Sequence, residues 1–275
     1  MSTPPDRYVV IGQPVDHSRS PAIHTLFATA TSQNMAYERL AAPTDDFAGT
    51  AADFFNQGGR GANVTLPFKL EAAAFADELS ERATAAGAVN TLSKADDGRI
   101  HGDNTDGVGL ARDLEKRADA QLAGARVLIL GAGGAVRGAL PALLAQEPYG
   151  ITIANRTTTR AEAVAAAVDN AVATAAPAEL TETYDIVINA VSAGLDGTMP
   201  AVPDIIIGHH SIAYDMLYAD TPTPFVQWAR DRGARRVTDG FGMLVEQAAE
   251  SFYCWRGRRP DTMPVIEKLG YGNSG

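Results

Sequence analysis

Four short segments in the first part of the chain crowd small polar residues against apolar runs. They are His17-Ser18-Arg19-Ser20-Pro21, Asn63-Val64-Thr65-Leu66-Pro67-Phe68-Lys69, Ala88-Val89-Asn90-Thr91 and Gly102-Asp103-Asn104-Thr105-Asp106-Gly107. Each follows or ends a stretch that reads as a strand, and open α/β sheets bind ligands beyond the carboxyl ends of their strands. Hydroxyls, amides, the Lys69 amine and the Asp106 carboxylate suit a polyhydroxylated, anionic small molecule. Taken singly, each residue has a second reading. Ser20 is open between a helix N-cap and an anion ligand, and Asp106 between a cap and a catalyst. Asn63 and Asn90 could serve only turn backbone. Lys69 stands where a helix should start, which opposes the helix dipole, so a bare surface charge explains it poorly. His17 is read as structural.

A second concentration lies further on. The apolar run Arg126–Leu130 passes directly into Gly131-Ala132-Gly133-Gly134-Ala135-Val136-Arg137-Gly138. A strand, a glycine turn and a helix N-terminus together make a pyrophosphate cradle: one glycine permits the bend, another lets backbone approach the phosphates, and the helix offers N–H donors. The spacing departs from G-x-G-x-x-G, since Val136 holds the third glycine position. The next strand, Ile151–Ala154, ends in Asn155-Arg156-Thr157, with Arg160 one turn later. An NAD-selective fold usually places an acid here for the ribose 2′-OH. Two guanidinium groups and a hydroxyl suit a 2′-phosphate instead, so the expected cofactor is NADP.

The elements that must carry these residues follow from apolar patterning. Strands are expected at Tyr8–Gly12, Tyr37–Ala41, Gly61–Leu66, Ala88–Ser93 and Arg99–His101, the last two around an Asp97-Gly98 turn. Helices are expected at Pro21–Gln33, with Ser20 as cap, at Asp46–Gln57, and from about Lys69. Later strands are expected at Arg126–Leu130, Gly150–Ala154, Asp185–Ala190, Ser211–Met216 and Arg235–Thr238. A last long helix is expected over about Met243–Trp255, with Leu244, Ala248, Phe252 and Trp255 on one face. The fold class is therefore α/β with largely parallel sheets. An N-terminal substrate-binding domain over residues 1–106 is joined by a C-terminal helical segment, 243–275. A Rossmann-like NADP-binding domain covers 107–242, with a cleft between the two.

Composition narrows the partners. With 275 residues, about two domains are expected. A net charge of -10 disfavours nucleic acid, which is held by excess cations. No run of about 18 apolar residues is present, so no membrane span is expected, and residues 1–8 lack a signal-peptide apolar region. The single cysteine, Cys254, fits a reducing cytoplasm. His209 and His210 are adjacent and cannot face one metal as an i, i+4 pair, so no metal is expected. A monomer or homodimer is expected.

In combination the motifs resemble the shikimate dehydrogenase family, from Tyr8 to about Leu269. They are HSRSP at 17–21, NVTLPFK at 63–69, GAVNT at 87–91, GDNTDG at 102–107, GAGGAVRG at 131–138, NRTTTR at 155–160, YDMLY at 214–218 and DGFGMLVEQA at 239–248. The resemblance implies reversible, NADP-dependent reduction of 3-dehydroshikimate to shikimate in aromatic amino acid biosynthesis. It implies that Ser18 and Ser20 hold the substrate carboxylate, and that Thr65, Asn90, Asp106 and Gln247 bind hydroxyls or position the ring. Asn63 and Tyr218 would lie in the same pocket, and Lys69 with Asp106 would form the catalytic pair. Gly131, Ala132, Gly133, Gly134, Ala135, Asn155, Arg156, Thr157 and Arg160 would hold NADP, with Met216 and Gly240 beside the nicotinamide. Two positions depart from the family pattern: Val191, in Asn189-Ala190-Val191-Ser192, stands where Thr is usual, and Arg19 replaces a common Lys.

Hydride transfer to a ketone builds negative charge on oxygen, which a proton donor must relieve. Lys69 is expected to give that proton and Asp106 to orient it. A quinate or dual quinate/shikimate dehydrogenase is the nearest alternative. Paired Ser18 and Ser20, with Arg156 for NADP, favour shikimate. A non-catalytic NADP-binding sensor is disfavoured because Lys69 and Asp106 are both kept.

Overall fold

The structure is a computed structural model that describes residues 3–168, 172–191 and 198–270. Ser192, and residues 1–2 and 271–275 of the expected substrate domain, fall outside them. The chain divides into two compact units, one of Met1–Asp106 with Val245–Leu269, the other of Gly107–Leu244 with Gly270–Gly275.

The first unit opens with β1 (Asp6–Gly12), α1 (Ser20–Ala30), β2 (Met35–Ala41), α2 (Phe47–Asn56), β3 (Gly59–Val64) and α3 (Lys69–Phe75). It continues with β4 (Glu78–Leu79), α4 (Glu81–Ala86), β5 (Thr91–Lys94) and β6 (Ile100–Asp103). The sheet runs β2-β1-β3-β5-β6-β4. It is mixed: β1 lies parallel to β2 and β3, whereas β5 is antiparallel to β3 and β6. The β5–β6 reversal is made at Gly98, whose φ of 90° is one that a side chain would strain. Val9, Ile11, Ala62 and Val64 meet Phe47, Phe54 and Phe68 in one core. Fully burying a residue such as Phe68 contributes roughly 1.5–3 kcal/mol.

The starts of α1 and α2 bear on the sequence reading of their caps. Helix α1 begins at Ser20, with Arg19 in the cap position and no side-chain capping bond. Pro21 is tolerated in the first turn, where its missing N–H costs nothing, so the helix gains a residue and Ser20 is not the cap. Ser18 Oγ instead accepts the Ser20 N–H at 3.3 Å. In α2, Asp46 is the cap and accepts the Gly49 N–H at 3.1 Å. The short β4 and α4 had no periodic signal; a two-residue strand and a helix of fewer than two turns are too brief to show one.

The second unit contains α5 (Asp106–Lys116) from its second residue on, then β7 (Arg126–Leu130), α6 (Gly134–Leu144), β8 (Gly150–Ala154), α7 (Thr158–Ala165) and β9 (Val172–Ala175). After these come β10 (Ile186–Asn189), β11 (Ile212–Asp215), α8 (Pro224–Asp231) and β12 (Arg236–Thr238). The order is β12-β11-β10-β7-β8-β9, and every pairing is parallel. This is the doubly wound dinucleotide-binding order, with its switch point between β7 and β10. Along β7, Val127 and Ile129 enter one core and Leu128 and Leu130 the other, so both faces are covered.

The division between the units falls inside α9 (Phe241–Arg256), whose later residues, with α10 (Met263–Leu269), belong to the first unit. There Trp255 lies over Gly61, where an added Cβ would stand 2.5 Å from the indole nitrogen. The same nitrogen donates to Leu92 O at 3.0 Å. Gly61 is therefore the recess that seats this end of α9, a docking that helical periodicity alone left open. Among the described residues no helix is long and apolar enough to cross a membrane.

Candidate active site

In the first unit the ends of β3, β5 and β6 and the start of α5 come together around Asn90. Lys69 Nζ donates to Asp106 Oδ2 at 2.6 Å, and Asn90 Nδ2 donates to the other carboxylate oxygen at 2.8 Å. Lys69 keeps 29 % of its side chain exposed and Asp106 only 5 %, so the ammonium faces outward on a desolvated carboxylate. Asp106 opens α5, and its N–H donates to Asn104 Oδ1 at 3.1 Å. Asn104 in turn donates to Ala88 O at 3.0 Å. The Val89 N–H donates to the Lys69 carbonyl at 2.9 Å, which ties the start of α3 to the same strand end.

Asn90 is a hub. Its amide nitrogen faces Asp106 Oδ1, Thr105 Oγ1 at 3.0 Å and Gln247 Oε1 at 3.0 Å. Its carbonyl oxygen accepts from Thr105 N at 2.9 Å and Thr91 Oγ1 at 2.8 Å. Gln247, half-buried on α9, keeps its amide nitrogen outside this contact. Asn63 is nearly saturated as well. Its oxygen accepts from Tyr37 Oη at 2.7 Å, and its nitrogen donates to Ser251 Oγ at 2.9 Å and lies 3.2 Å from Asn90 O and Thr91 Oγ1. Ser251 also shares a 2.8 Å hydrogen bond with Thr91.

The residues Tyr37, Thr91, Asn104, Thr105 and Ser251 were not singled out from sequence. Thr91, Asn104 and Thr105 lie inside the quoted motifs, a signal that could have found them. Tyr37 and Ser251 sit in ordinary strand and helix patterns with nothing to mark them. Thr65 stands where the chain crosses Gly12: its N–H donates to Ile11 O at 2.9 Å, and a Cβ on Gly12 would strike Thr65 Cγ2. Ser18 is half-buried and Ser20 buried.

In the second unit Gly131 follows β7 with φ 105° and lies 3.2 Å, at its would-be Cβ, from the Ala190 backbone after β10. It therefore occupies the switch point. Val191, whose N–H donates to Asn189 Oδ1 at 3.2 Å, lines the same turn. Ala132 is half-buried. Gly133, Gly134 and Ala135 are exposed at the start of α6, and nothing lies within 4 Å of a Cβ built on either glycine. Their backbone is open to an approaching group. Asn155, Arg156, Thr157 and Arg160 surround the start of α7, where Asn155 Nδ2 donates to Thr157 O at 2.8 Å. Arg156 and Arg160 are exposed, and among the described residues neither has a carboxylate partner. A dinucleotide with an extra phosphate fits this donor set.

Met216 and Gly240 are packed backbone to backbone, a Cβ on Gly240 falling 2.6 Å from the Met216 carbonyl carbon. Tyr218 stands edge-on to Phe241 with ring centres 5.8 Å apart. Buried Asp215, which accepts from Asn189 Nδ2 at 3.0 Å and Thr223 Oγ1 at 2.5 Å, pins the ends of β10 and β11; burial pushes its carboxyl above the usual range. Among the described residues no three His, Cys, Asp or Glu side chains are placed to hold a metal ion.

A doubly wound dinucleotide unit joined to a unit carrying an ammonium–carboxylate pair defines a nicotinamide-dependent oxidoreductase. Residues 10–92 match the model of the shikimate dehydrogenase substrate binding domain, 113–196 that of shikimate / quinate 5-dehydrogenase, and 240–269 that of the shikimate 5'-dehydrogenase C-terminal domain. The chain belongs to the shikimate dehydrogenase family. It is 54 % identical over 267 residues to a shikimate dehydrogenase (NADP(+)) of Halorhodospira halophila, covering 97 % of this chain and 99 % of the relative. Among solved structures it is similar to an Ael1 enzyme from Pseudomonas putida, with 45 % identity, a TM-score of 0.93, and 98 % and 100 % of the two chains covered. It is also similar to a Thermus thermophilus shikimate 5-dehydrogenase in complex with NADP(H) and shikimate. There the identity is 32 %, the TM-score 0.85, and 95 % and 97 % of the two chains are covered.

Proposed function

We propose that this chain catalyses the NADP-dependent, reversible reduction of 3-dehydroshikimate to shikimate, a step toward aromatic amino acids. The observation that carries the reading is the Lys69–Asp106 pair, closed at 2.6 Å and held by Asn90. The first unit, with the later part of α9, binds substrate, and the second binds NADP. NADPH supplies the hydride when bound.

As the ketone carbon is reduced, its oxygen gains charge, and Lys69 Nζ delivers a proton to it. In the reverse direction the neutral amine takes that proton back. Asp106 holds the amine in line and accepts a hydrogen bond from a ring hydroxyl. Thr65, Asn90 and Gln247 orient the other ring substituents, with Asn63 buttressing Asn90. Tyr218 is a further substrate contact. Ser18 and Ser20 donate their hydroxyls to the carboxylate; the freedom of the Ser20 hydroxyl from a capping role supports this.

Residues 131–135 take the pyrophosphate on open backbone at a helix start. Asn155, Arg156, Thr157 and Arg160 take the adenosine 2′-phosphate, and Met216 and Gly240 line the nicotinamide side. The absence of an acid after Ala154 and the two exposed guanidinium groups favour NADP over NAD. The protein works in the cytoplasm as a monomer or homodimer, without nucleic acid or membrane.

The test is NADPH absorbance with shikimate and quinate, each with NADP and NAD. Turnover of shikimate with NADP well above the other three combinations supports the reading. Preference for quinate replaces it with the quinate alternative, and no turnover of either acid rejects it.

A further inference from the structure

Arg39 lies on β2, in register with Val10 of β1, and its guanidinium closes on one backbone atom outside both strands. Nε and Nη2 donate to the Ser18 carbonyl oxygen at 3.1 and 2.6 Å. Within the segment the Ser18 N–H donates to Val15 O at 3.0 Å and the Ser20 N–H to Ser18 Oγ at 3.3 Å, and Arg19 Nη1 ties it to Leu269 O at 3.0 Å. Among the described residues no carboxylate pairs with Arg39. Its neighbour Glu38 points to the opposite side of the strand. In a chain of net charge -10, a guanidinium without a carboxylate partner, fixed behind a pair of serines, has a consequence. Two neutral hydroxyls hold an anion weakly against a negative overall field, and a fixed cation reverses that field locally.

We infer that Arg39 is a positioning and specificity residue: by gripping the Ser18 carbonyl it presents the Ser18 and Ser20 hydroxyls in a locally positive field, and so makes the substrate site selective for a carboxylate. The inference rests on the proposed substrate reading. Arg39 touches neither the reacting carbon nor Lys69, so its effect belongs in binding rather than in turnover.

The experiment compares wild type, Arg39→Met and Arg39→Lys, with saturating NADP, on shikimate and on the same ring bearing a neutral carboxamide in place of the carboxylate. For Arg39→Met, KM for shikimate rises about tenfold, the size of one lost charge-assisted hydrogen bond. Its kcat stays within about twofold, as for loss of uniform binding, and KM for the amide, which meets the same hydroxyls but carries no charge, rises clearly less than KM for the acid. Arg39→Lys, which keeps the charge without the fork, falls between. An unchanged KM for shikimate, an equal rise for acid and amide, or a loss carried in kcat overturns the inference. Wild type that turns over neither acid nor amide overturns the functional reading itself, and the inference with it.

Discussion

The two units prepare for their ligands in opposite ways. In the first, nearly every polar side chain near Lys69 is already committed: Asn90, Asn63, Thr91, Thr105, Ser251 and Asp106 bond one another in a buried network. In the second, the glycine turn offers bare backbone at Gly133 and Gly134, and Arg156 and Arg160 lack carboxylate partners among the described residues. Chemistry needs groups held to a fraction of an ångström, which a satisfied network supplies. Binding a large, highly charged cofactor needs donors left available and backbone close enough to reach phosphate. The first unit is preorganised by internal bonds, whereas the second presents exposed backbone and guanidinium groups.

That contrast can be broken most directly at Lys69. Lys69→Ala should lower kcat by ~10²–10⁴-fold, the span of a lost general acid, while NADPH affinity in a fluorescence titration stays unchanged. A kcat near wild type would remove Lys69 from the chemistry. On the other side, Arg156→Asp should weaken NADPH by ~10–150-fold, the worth of one hydrogen bond to a charged group, with NADH much less affected. Equal losses for both cofactors would show that Arg156 does not select the phosphate.

Gly131→Ala sharpens the comparison because it removes no side-chain hydrogen bond and acts on the turn itself. A residue at φ 105°, with its Cβ 3.2 Å from the Ala190 backbone, should lose roughly 1–3 kcal/mol in a urea titration and bind NADPH poorly. Undiminished stability would mean the turn has room to relax.

The smallest effect concerns His24, a buried imidazole beside that network. It is fully buried, stacked 4.2 Å from Tyr37, and neither ring nitrogen has a hydrogen-bond partner among the described residues. Burial pushes its pKa down to about 3 from 6.5. The unfolded chain therefore binds the proton first, and stability falls as pH drops below about 6.5, by up to about 1.4 kcal/mol per pH unit until about pH 3. Between pH 8 and pH 5, wild type should lose about 2 kcal/mol more than His24→Phe, read from denaturant midpoints. Parallel losses in the two proteins would place the acid sensitivity elsewhere.

Much of the second unit was legible because its signals are local. Arg126–Leu130 is apolar on both faces and runs straight into glycines, so strand, turn and helix could be read from adjacent residues. The strand β9 was missed because Val172–Ala175 is short and half-exposed, and alanine speaks equally for helix. In the first unit the motifs named Lys69, Asn90 and Asp106, yet the buttress behind them was invisible. Ser251 reaches Asn63 from 188 positions away, and no pattern within either segment records such a partner. The Ser20 cap failed for a nearer reason: Pro21 can stand in the first helical turn at either of two positions, and local sequence does not choose between them.

What the amino-acid order by itself determined was the alternation of strands and helices, the glycine turn and the cationic end of β8. These depend on periodicity, dihedral freedom and charge, which are properties of neighbouring residues. Tertiary structure alone decided that Asn90 would sit between Asp106 and Gln247, that Trp255 would fill the space above Gly61, and that Arg39 would reach the Ser18 carbonyl. Those contacts join segments far apart in the chain, and they exist only once burial of the apolar faces has settled which strand ends and helix faces meet.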